Sequence, residues 1–339
     1  MRRVAIINQK GGVGKTTTTI NLGAALAQSG KRVLLIDLDP QGHLSLHLGC
    51  EPADGQTSVY DVLTSAAPIA ESLVTVNKRL TLLPADIDLA GAEAELISVT
   101  GREVLLREAL ATVADRFDFM LIDCPPSLGV LTINALVATD EVLIPLQAQF
   151  FALQGLSRLF DTVSLVRQRI NPALRVAGVA LCMHESSTKL SSEVVDDLTQ
   201  FLESSRGTAA PWSQARLFKT RIRRNIKLAE ASSFGQSVFD YAPKSNGALD
   251  YADLAHEIFG TRPELGSMES PKVMTAEAAP TQSVHAPAVP TVAAVVPSPP
   301  PSTKKAPRRD ARGKSTSNGE VASVNSENSR LVAAASSSP

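Results

Sequence analysis

Lys10-Gly11-Gly12-Val13-Gly14-Lys15-Thr16-Thr17 decides the fold of this chain, because it joins a strand pattern to a helix pattern through a glycine-rich turn. An apolar run at residues 4–7 precedes it, and helical spacing follows over residues 18–28. Such a turn forms a phosphate cradle, since its backbone N–H groups point inward and the helix dipole favours an anion. In this cradle Lys15 reaches the β- and γ-phosphates of a nucleotide, and the Thr16 hydroxyl ligates Mg²⁺.

The spacing of this stretch differs from that of the ordinary P-loop. The usual pattern has a glycine five positions before Gly14, where this chain has Gln9. A second lysine, Lys10, stands before the glycine pair instead. A lone lysine in a loop is usually only solvated, but a lysine within this glycine-rich stretch is a specific signal. We therefore predict that the stretch from Lys10 to Thr17 binds a nucleotide.

Two further apolar runs end in carboxylates. Residues 33–37 are apolar up to Asp37, and Asp39 follows two positions later, so both side chains share a face of an extended backbone. The run Phe119-Met120-Leu121-Ile122-Asp123 has the form of a Walker B strand, in which the acid holds Mg²⁺ through a water. Ligands of open α/β sheets bind at the carboxyl ends of the strands. Asp39 also has a structural alternative, which is to cap a helix that starts near Gly42. That role is compatible with a place in a ligand site.

Taken together, these motifs resemble those of the deviant-Walker ATPases, the ParA/MinD group of P-loop proteins. The resemblance to the chromosomal, Soj-like ParA branch runs in the family's order from about residue 2 to about residue 260. It rests on four segments beyond the glycine loop: 123–129 (Asp-Cys-Pro-Pro-Ser-Leu-Gly), 147–156, 188–191 and 224–231.

This resemblance implies roles for several residues. Lys10 would reach across a dimer interface to the nucleotide of the other subunit, and Asp39 would position or activate the attacking water. Lys10, Lys15 and Asp39 are therefore the candidate catalytic residues. The implied cofactors are ATP and Mg²⁺, with the metal held by Thr16, Asp37 and Asp123, and Asn225 is a candidate contact of the base.

One segment of the chain is strongly basic, although the formal net charge of the whole is only −1. Residues 206–229 contain seven basic and no acidic residues. On an extended backbone Lys219, Arg221 and Arg223 lie on one side. Charge alone leaves two readings open: attraction to a phosphate backbone, or an edge strand protected from aggregation. The resemblance favours non-specific DNA binding through Lys219, Arg221 and Arg223.

The basic segment departs from the family pattern at two positions. Relatives often carry an arginine where this chain has Ser187, and usually a proline where it has Arg223. We hypothesise that the positive charge has moved from one loop to the neighbouring strand. Arg224, next in the chain, is expected to serve the nucleotide instead.

Composition divides the chain into two parts. All aromatic residues lie at or before Phe259, and eleven of the 21 prolines fall in residues 263–339. A tail of this composition cannot bury enough apolar surface to offset its ordering entropy. We predict an ATPase domain over residues 1–262 and a disordered tail over 263–339. Three widely spaced cysteines and the lack of a signal-peptide or membrane-span pattern predict a cytoplasmic protein.

Strand and helix patterns alternate through the first 260 residues, which predicts an α/β fold with a mostly parallel sheet and helices on both faces. Among the expected elements are a strand over 80–83 and one over 216–222. Helices are expected over 58–63, 89–99, 102–114, 153–169 and 248–259.

The functional prediction is an ATP-dependent switch that dimerises, binds DNA and partitions a chromosome or plasmid, with hydrolysis stimulated by a ParB-like partner. The same chemistry moving another cargo remains an alternative. A MinD-like membrane switch is disfavoured, because the proline-rich tail lacks an amphipathic helix pattern. An iron–sulfur electron donor of the same fold is disfavoured by the positions of Cys124 and Cys182. We expect no membrane partner.

Overall fold

The computed structural model describes residues 1–53, 55–149, 152–185 and 189–263. The chain divides into two units, Met1–Lys272 and Val273–Pro339, and every described residue belongs to the first. Apart from Pro263, the predicted tail lies outside the described residues, so its disorder and its boundary stay predictions.

An eight-stranded sheet forms the centre of the described chain, in the order β3-β4-β2-β5-β1-β6-β7-β8. All neighbouring strands pair in parallel except β3 with β4. The predicted mostly parallel sheet is therefore confirmed. Its strands are β1 (Arg2–Ile6), β2 (Val33–Asp37), β3 (Val74–Asn77), β4 (Leu80–Leu83), β5 (Phe119–Asp123), β6 (Glu141–Leu146), β7 (Arg175–His184) and β8 (Arg216–Arg223).

Helices cover both faces of this sheet. Those on one face are α1, α2, α10 and α11, and those on the other are α3 to α8. In the described part of the chain, no helix has the length and apolar character needed to cross a membrane. The helices are α1 (Lys15–Gln28), α2 (His43–His47), α3 (Val59–Thr64), α4 (Leu89–Glu95), α5 (Leu105–Ala111), α6 (Val130–Ala138), α7 (Ala152–Arg169), α8 (Lys189–Ser204), α9 (Ile226–Ser233), α10 (Val238–Tyr241) and α11 (Asn246–Phe259).

Burial on both faces explains why the central strands are apolar at every position. Successive residues of a strand project to opposite faces. Ala5 and Ile36 therefore belong to one core cluster, whereas Val4 and Leu35 belong to the other. All four are fully buried or nearly so. A strand covered by helices on both faces thus reads as an uninterrupted apolar run rather than an alternating one.

Several element bounds differ from the sequence prediction. The helix expected over 89–99 ends at Glu95 and continues as the short 3₁₀ turn Leu96–Ser98. The helix expected over 102–114 is confined to α5, because Thr112 and Val113 make i→i−3 bonds that close it. The antiparallel strand β3 was not predicted, since its four residues, Val-Thr-Val-Asn, give too short a pattern to indicate a strand.

Candidate nucleotide-binding site

The carboxyl ends of β1, β2 and β5 bring the three predicted motifs together. Asp37 and Asp123 are register partners at the ends of β2 and β5, and Ile6 at the end of β1 is the other neighbour of Asp123. The glycine loop leaves β1 at this point and runs into α1. The motifs therefore converge at the sheet edge where α/β proteins bind ligands.

The glycine loop is shaped by backbone conformation. Gly12 and Gly14 have φ values of 70° and 94°, in the left-handed region that favours glycine. Gly14 is the N-cap of α1, and no described side chain caps that end of the helix. Val13 is 1% exposed and anchors the loop in the protein. The first N–H groups of α1 thus remain free to donate to phosphate oxygens.

Lys15 and Thr16 occupy the first turn of α1. Lys15 is buried, and its Nζ lies 3.4 Å from the carbonyl oxygen of Lys10 across the loop. The Thr16 Oγ1 donates a hydrogen bond of 2.6 Å to Oδ2 of Asp123. Thr17, the next residue, also lines the cavity beside the loop. The sequence-predicted lysine, hydroxyl and Walker B acid therefore meet in one place.

Asp123 is fully buried at the end of β5. Burial raises the pKa of its carboxyl well above the usual range, and the nearby Asp37 raises it further. The hydrogen bond from Thr16 and the charge of Lys15 oppose this shift. Two buried carboxyls and a hydroxyl form the oxygen-rich set that suits a hard divalent cation such as Mg²⁺. The residues present fit that metal.

Asp37 is engaged mainly with the following helix. Its Oδ2 accepts from the backbone N–H of Ser45 at 2.8 Å and from the Ser45 hydroxyl at 2.7 Å. Burial raises the pKa of Asp37 to about 6, although the hydrogen bonds from Ser45 lower it. The Ser45 hydroxyl in turn accepts from the N–H of Ala85 at 3.0 Å. Asp37 therefore sets the position of α2 and the loop that carries Asp39.

Asp39 lines the cavity and is 7% exposed. Its Oδ1 accepts from the backbone N–H of Gln41 at 3.0 Å. The alternative role of Asp39 as a helix cap is wrong: the N-cap of α2 is Gly42, whose backbone is left-handed and which has no side chain to accept from the helix. Among the described residues Oδ2 of Asp39 has no hydrogen-bond partner, so it is available to a water in the cavity.

Lys10 lies on the exposed side of the glycine loop. Its ammonium donates to Oε1 of Gln149 in the same chain, and its backbone N–H donates to Oδ1 of Asn8 at 3.0 Å. In the single chain Lys10 is therefore held at the rim of the site, whereas Lys15 is held inside it.

A cavity of about 960 Å³ extends from the glycine loop towards the turn between β8 and α9. Asn225 lines it and caps α9, since its Oδ1 accepts from the N–H of Lys227 at 2.9 Å. Arg224 also lines it and pairs with Glu185 at 2.7 Å. A cavity of this size accommodates a nucleotide. Among the lining residues that sequence reasoning missed are His43, His47, Cys182 and Tyr251, which carry no local motif.

Exposed and buried side chains alternate along the basic strand β8, as predicted. Lys219, Arg221 and Arg223 are exposed, and Phe218 and Ile222 are buried. The three cations nevertheless differ in their surroundings. Arg223 pairs with the largely buried Asp250 at 2.6 Å, Arg221 donates to Nε2 of His184 at 2.9 Å, and the Lys219 ammonium has no partner among the described residues.

The outer edge of β8 is covered by carboxylates from α11. Glu257 accepts from the N–H groups of Lys219 and Thr220, each at 2.8 Å, and Asp250 accepts from the N–H of Arg223 at 3.0 Å. These bonds satisfy three N–H groups on the outer edge of β8. Ser187, where relatives carry an arginine, lies outside the described residues.

Comparison with known proteins identifies several relatives of this chain. A family model described as an AAA domain matches residues 1–176. The sporulation initiation inhibitor protein Soj of Bacillus subtilis (strain 168) is 46% identical over 256 residues, covering 75% of this chain and 97% of that protein. The chromosome partitioning protein ParA of Caulobacter vibrioides (strain NA1000 / CB15N) is 44% identical over 261 residues, covering 76% and 94%.

A solved structure is similar over the same length of chain. Cobyrinic acid a,c-diamide synthase from Mycobacterium smegmatis, determined with a bound ATP analog and magnesium, superposes with a TM-score of 0.64 at 39% identity. The match covers 78% of this chain and 98% of that one.

Proposed function

Because this chain belongs to the ParA/Soj family of P-loop partitioning ATPases, we propose that it is an ATP-dependent, dimerising switch that binds DNA and partitions a chromosome or plasmid. The observation that carries this proposal is the hydrogen bond between Thr16 and Asp123 beneath the glycine loop. It joins the P-loop hydroxyl to the Walker B acid, which is the pairing that a nucleotide-bound Mg²⁺ requires.

The nucleotide end of the site is assigned residue by residue. The N–H groups of α1 and the loop from Gly11 to Gly14 hold the phosphates, and Lys15 neutralises their charge. Thr16, Asp37 and Asp123 would hold Mg²⁺. Bound Mg·ATP supplies the transferable phosphoryl group and the neutralising divalent charge. Asn225, with its amide nitrogen unused among the described residues, contacts the base.

Hydrolysis is assigned to Asp39 and to Lys10. The unused Oδ2 of Asp39 orients a water towards the phosphates, and desolvation in the cavity strengthens that interaction. Lys10, already at the rim, reaches the nucleotide of a second copy. Since phosphoryl transfer depends on positioning and charge neutralisation, one copy alone turns over slowly, and a ParB-like partner accelerates it.

The ATP-bound dimer holds DNA through the exposed face of β8, without sequence specificity, and so associates with the nucleoid in the cytoplasm. Lys219 and Arg221 are its main contacts. Arg223 contributes less, because Asp250 already neutralises it at 2.6 Å. Attraction of this kind falls steeply with salt, since binding releases condensed counterions.

Two other functions use the same nucleotide site. The same chemistry can position a cargo other than DNA, and the Mycobacterium neighbour is named for an amide-forming synthase. The higher identity to partitioning proteins, 46% and 44% against 39%, favours partitioning. A synthase would consume ATP only with its carboxylic-acid substrate present, whereas a partitioning switch responds to DNA and its partner.

The decisive experiment measures the mass of the full chain by light scattering with Mg²⁺ and a non-hydrolysable ATP analogue, and its retention on duplex DNA under the same conditions. We expect a dimer and DNA retention with the analogue but not with ADP. The Asp39→Ala variant should give the same dimer with ordinary ATP and remain on DNA. A chain that stays single with the analogue would contradict the proposal.

A further inference from the structure

The edge of the sheet opposite the nucleotide site carries a row of basic residues. Parallel strands begin at one edge, so residues at their starts lie side by side, about 4.8 Å apart from strand to strand. Six of the seven strands with parallel neighbours begin at an arginine or within three residues after one. These arginines are Arg2, Arg32, Arg79, Arg116, Arg175 and Arg216.

At one end of this row a cavity of about 180 Å³ opens between β1, β6, β7 and β8. We call it the arginine cup. The polar side chains that line it are Arg2, Glu141, Arg175, Gln214 and Arg216.

Glu141 and Arg2 neutralise each other in the arginine cup. Glu141 is 3% exposed, and its two oxygens accept from Nε of Arg2 at 2.9 Å and from Nη2 at 2.8 Å. The remaining terminal nitrogen of Arg2 donates to the carbonyl of Ile258 at 3.0 Å. Arg2 is thus committed to a buried carboxylate and to the end of α11, and has little capacity for a ligand.

Arg175 and Arg216 have donors to spare. A guanidinium carries five N–H donors. In the described chain, Arg175 uses one nitrogen, on Glu141 at 2.7 Å, and Arg216 uses one, on the carbonyl of Glu257 at 3.0 Å. The Arg216 guanidinium also lies 5.3 Å from the centre of the Phe218 ring. The amide of Gln214 has no partner among the described residues.

The charge balance of the cup is positive. Glu141 pairs with Arg2 and Arg175, and the carboxylate of Glu257, near Arg216 but outside the lining, accepts from the backbone N–H groups of Lys219 and Thr220. One positive charge therefore remains uncompensated, together with most of the N–H donors of Arg175 and Arg216. Unused donors that converge on a concave surface are best satisfied by an anion with several acceptor oxygens.

We propose that the arginine cup binds a phosphate group, held by the guanidinium groups of Arg175 and Arg216 and the amide of Gln214. Guanidinium groups match phosphate oxygens in a bidentate geometry. A cavity of about 180 Å³ takes a single phosphate with its waters but is smaller than the usual site for a whole nucleotide. This site is separate from the glycine loop, and its existence does not depend on ATP hydrolysis.

Two sources can supply this chemistry: free inorganic phosphate, or the phosphodiester backbone of DNA. The test variants are Arg175→Gln and Arg216→Gln, which remove one guanidinium each and leave Glu141 paired with Arg2. Arg32→Gln is the matched control, because Arg32 lies on the same edge and pairs with Asp118 at 2.8 Å, outside the cup.

In the first arm, the full chain is saturated with ADP and Mg²⁺, so that the glycine loop is filled in every variant, and titrated with inorganic phosphate by calorimetry. If the ligand is free phosphate, both cup variants should bind it at least ten-fold more weakly than the wild type, and Arg32→Gln should match the wild type.

In the second arm, binding to duplex DNA is measured at rising salt with a non-hydrolysable ATP analogue. If the ligand is the DNA backbone, each cup variant should lower the slope of log K against log salt by about 0.9, whereas Arg32→Gln should not. The proposal is overturned if both cup variants match the wild type in both arms. It is also overturned if Arg32→Gln weakens phosphate binding, or lowers the salt slope of DNA binding, as much as the cup variants do. Should a cup variant fail to fold, Gln214→Glu places a negative charge in the cup without removing an arginine, and the same losses are expected.

Discussion

Ser45 donates two hydrogen bonds to one oxygen of Asp37, from its backbone N–H at 2.8 Å and from its hydroxyl at 2.7 Å. Asp37 ends β2, and Ser45 lies in the first turn of α2. The strand carboxylate thus does for α2 what a capping side chain normally does, since the N-cap Gly42 has none. This contact fixes the path of the loop that carries Asp39, and the bond from Ala85 to the same hydroxyl ties it to the end of β4.

Replacing Ser45 should therefore destabilise the part of the fold that positions Asp39. Ser45→Ala removes one donor from a buried carboxylate and leaves the N–H of Ala85 without its acceptor, which should lower the free energy of unfolding by about 1–3 kcal/mol. Ser45→Thr keeps the hydroxyl and should lose less. Chemical denaturation of the two variants without nucleotide checks this. Equal losses in both would mean that the hydroxyl bonds contribute little.

Asp37 should also make the nucleotide-free protein sensitive to pH. Its pKa of about 6 in the folded chain exceeds the ordinary aspartate value, chiefly because of burial. A raised pKa stabilises the fold fully below the unfolded value and loses that contribution as pH rises through about 6. Denaturation at pH 4.5 and 7.5, without metal, should therefore reveal this loss in the wild type. Asp37→Asn, which cannot ionise, should show a smaller change between the two pH values, and an identical change would contradict the assignment.

Substituting Lys10 should impair dimerisation, whereas substituting Lys15 should impair nucleotide binding. Lys15 is buried in the loop and Lys10 is exposed at its rim. Lys15→Ala should abolish binding of a fluorescent ATP analogue. Lys10→Ala should retain that binding within about three-fold, because one copy binds phosphate without it, but should stay single by light scattering. A Lys10→Ala dimer of normal mass would remove the role of Lys10 in the second copy.

Lys219 and Arg223 should contribute unequally to DNA affinity. Lys219 has no described partner for its charge, whereas Arg223 is paired with Asp250. Lys219→Gln should lower the salt slope of DNA binding by about 0.9, and Arg223→Gln by clearly less. Because Arg223→Gln leaves the largely buried Asp250 without its cation, it should instead reduce thermal stability. A larger DNA effect for Arg223 than for Lys219 would reverse this ranking.

Gly178 should be irreplaceable for reasons of packing. A Cβ built on Gly178 would lie 2.3 Å from the carbonyl oxygen of Arg216, so Gly178→Ala would force β7 away from β8. We expect a loss of about 1–3 kcal/mol in the free energy of unfolding, as for other overpacked sites. Gly155→Ala is the matched control: it lies in α7 with nothing within 4 Å of its Cβ, and should gain up to about 1 kcal/mol. Thermal melts of both variants compare the two effects.

Much of the fold was predictable because its signals are contiguous. The glycine loop, the apolar runs that end in Asp37 and Asp123, and the alternation along β8 each occupy fewer than ten consecutive residues. Local backbone geometry then dictates what such a segment forms. The short hairpin strand β3 and the end of α5 were not predictable in this way, because long-range packing decides where a weak local pattern stops.

The roles of individual side chains depended on partners far away in the chain. Asp39 was a reasonable helix cap by position, yet the backbone at Gly42 takes that place. In the sequence Arg223 is one of three equivalent cations. In the structure α11 places Asp250, 27 residues further along the chain, beside it. Part of the wall of the nucleotide cavity, such as Tyr251, carries no sequence motif.

By itself, then, the sequence determined the phosphate-binding chemistry, the parallel sheet and the family, because each follows from residues that are neighbours along the backbone. Only the tertiary structure decided which charges are already neutralised and which remain free. Arg2 and Glu141 are 139 positions apart, and their pairing leaves Arg175 and Arg216 with unused donors. Coulombic and hydrogen-bond energies depend on distance in space, and chain folding alone sets that distance.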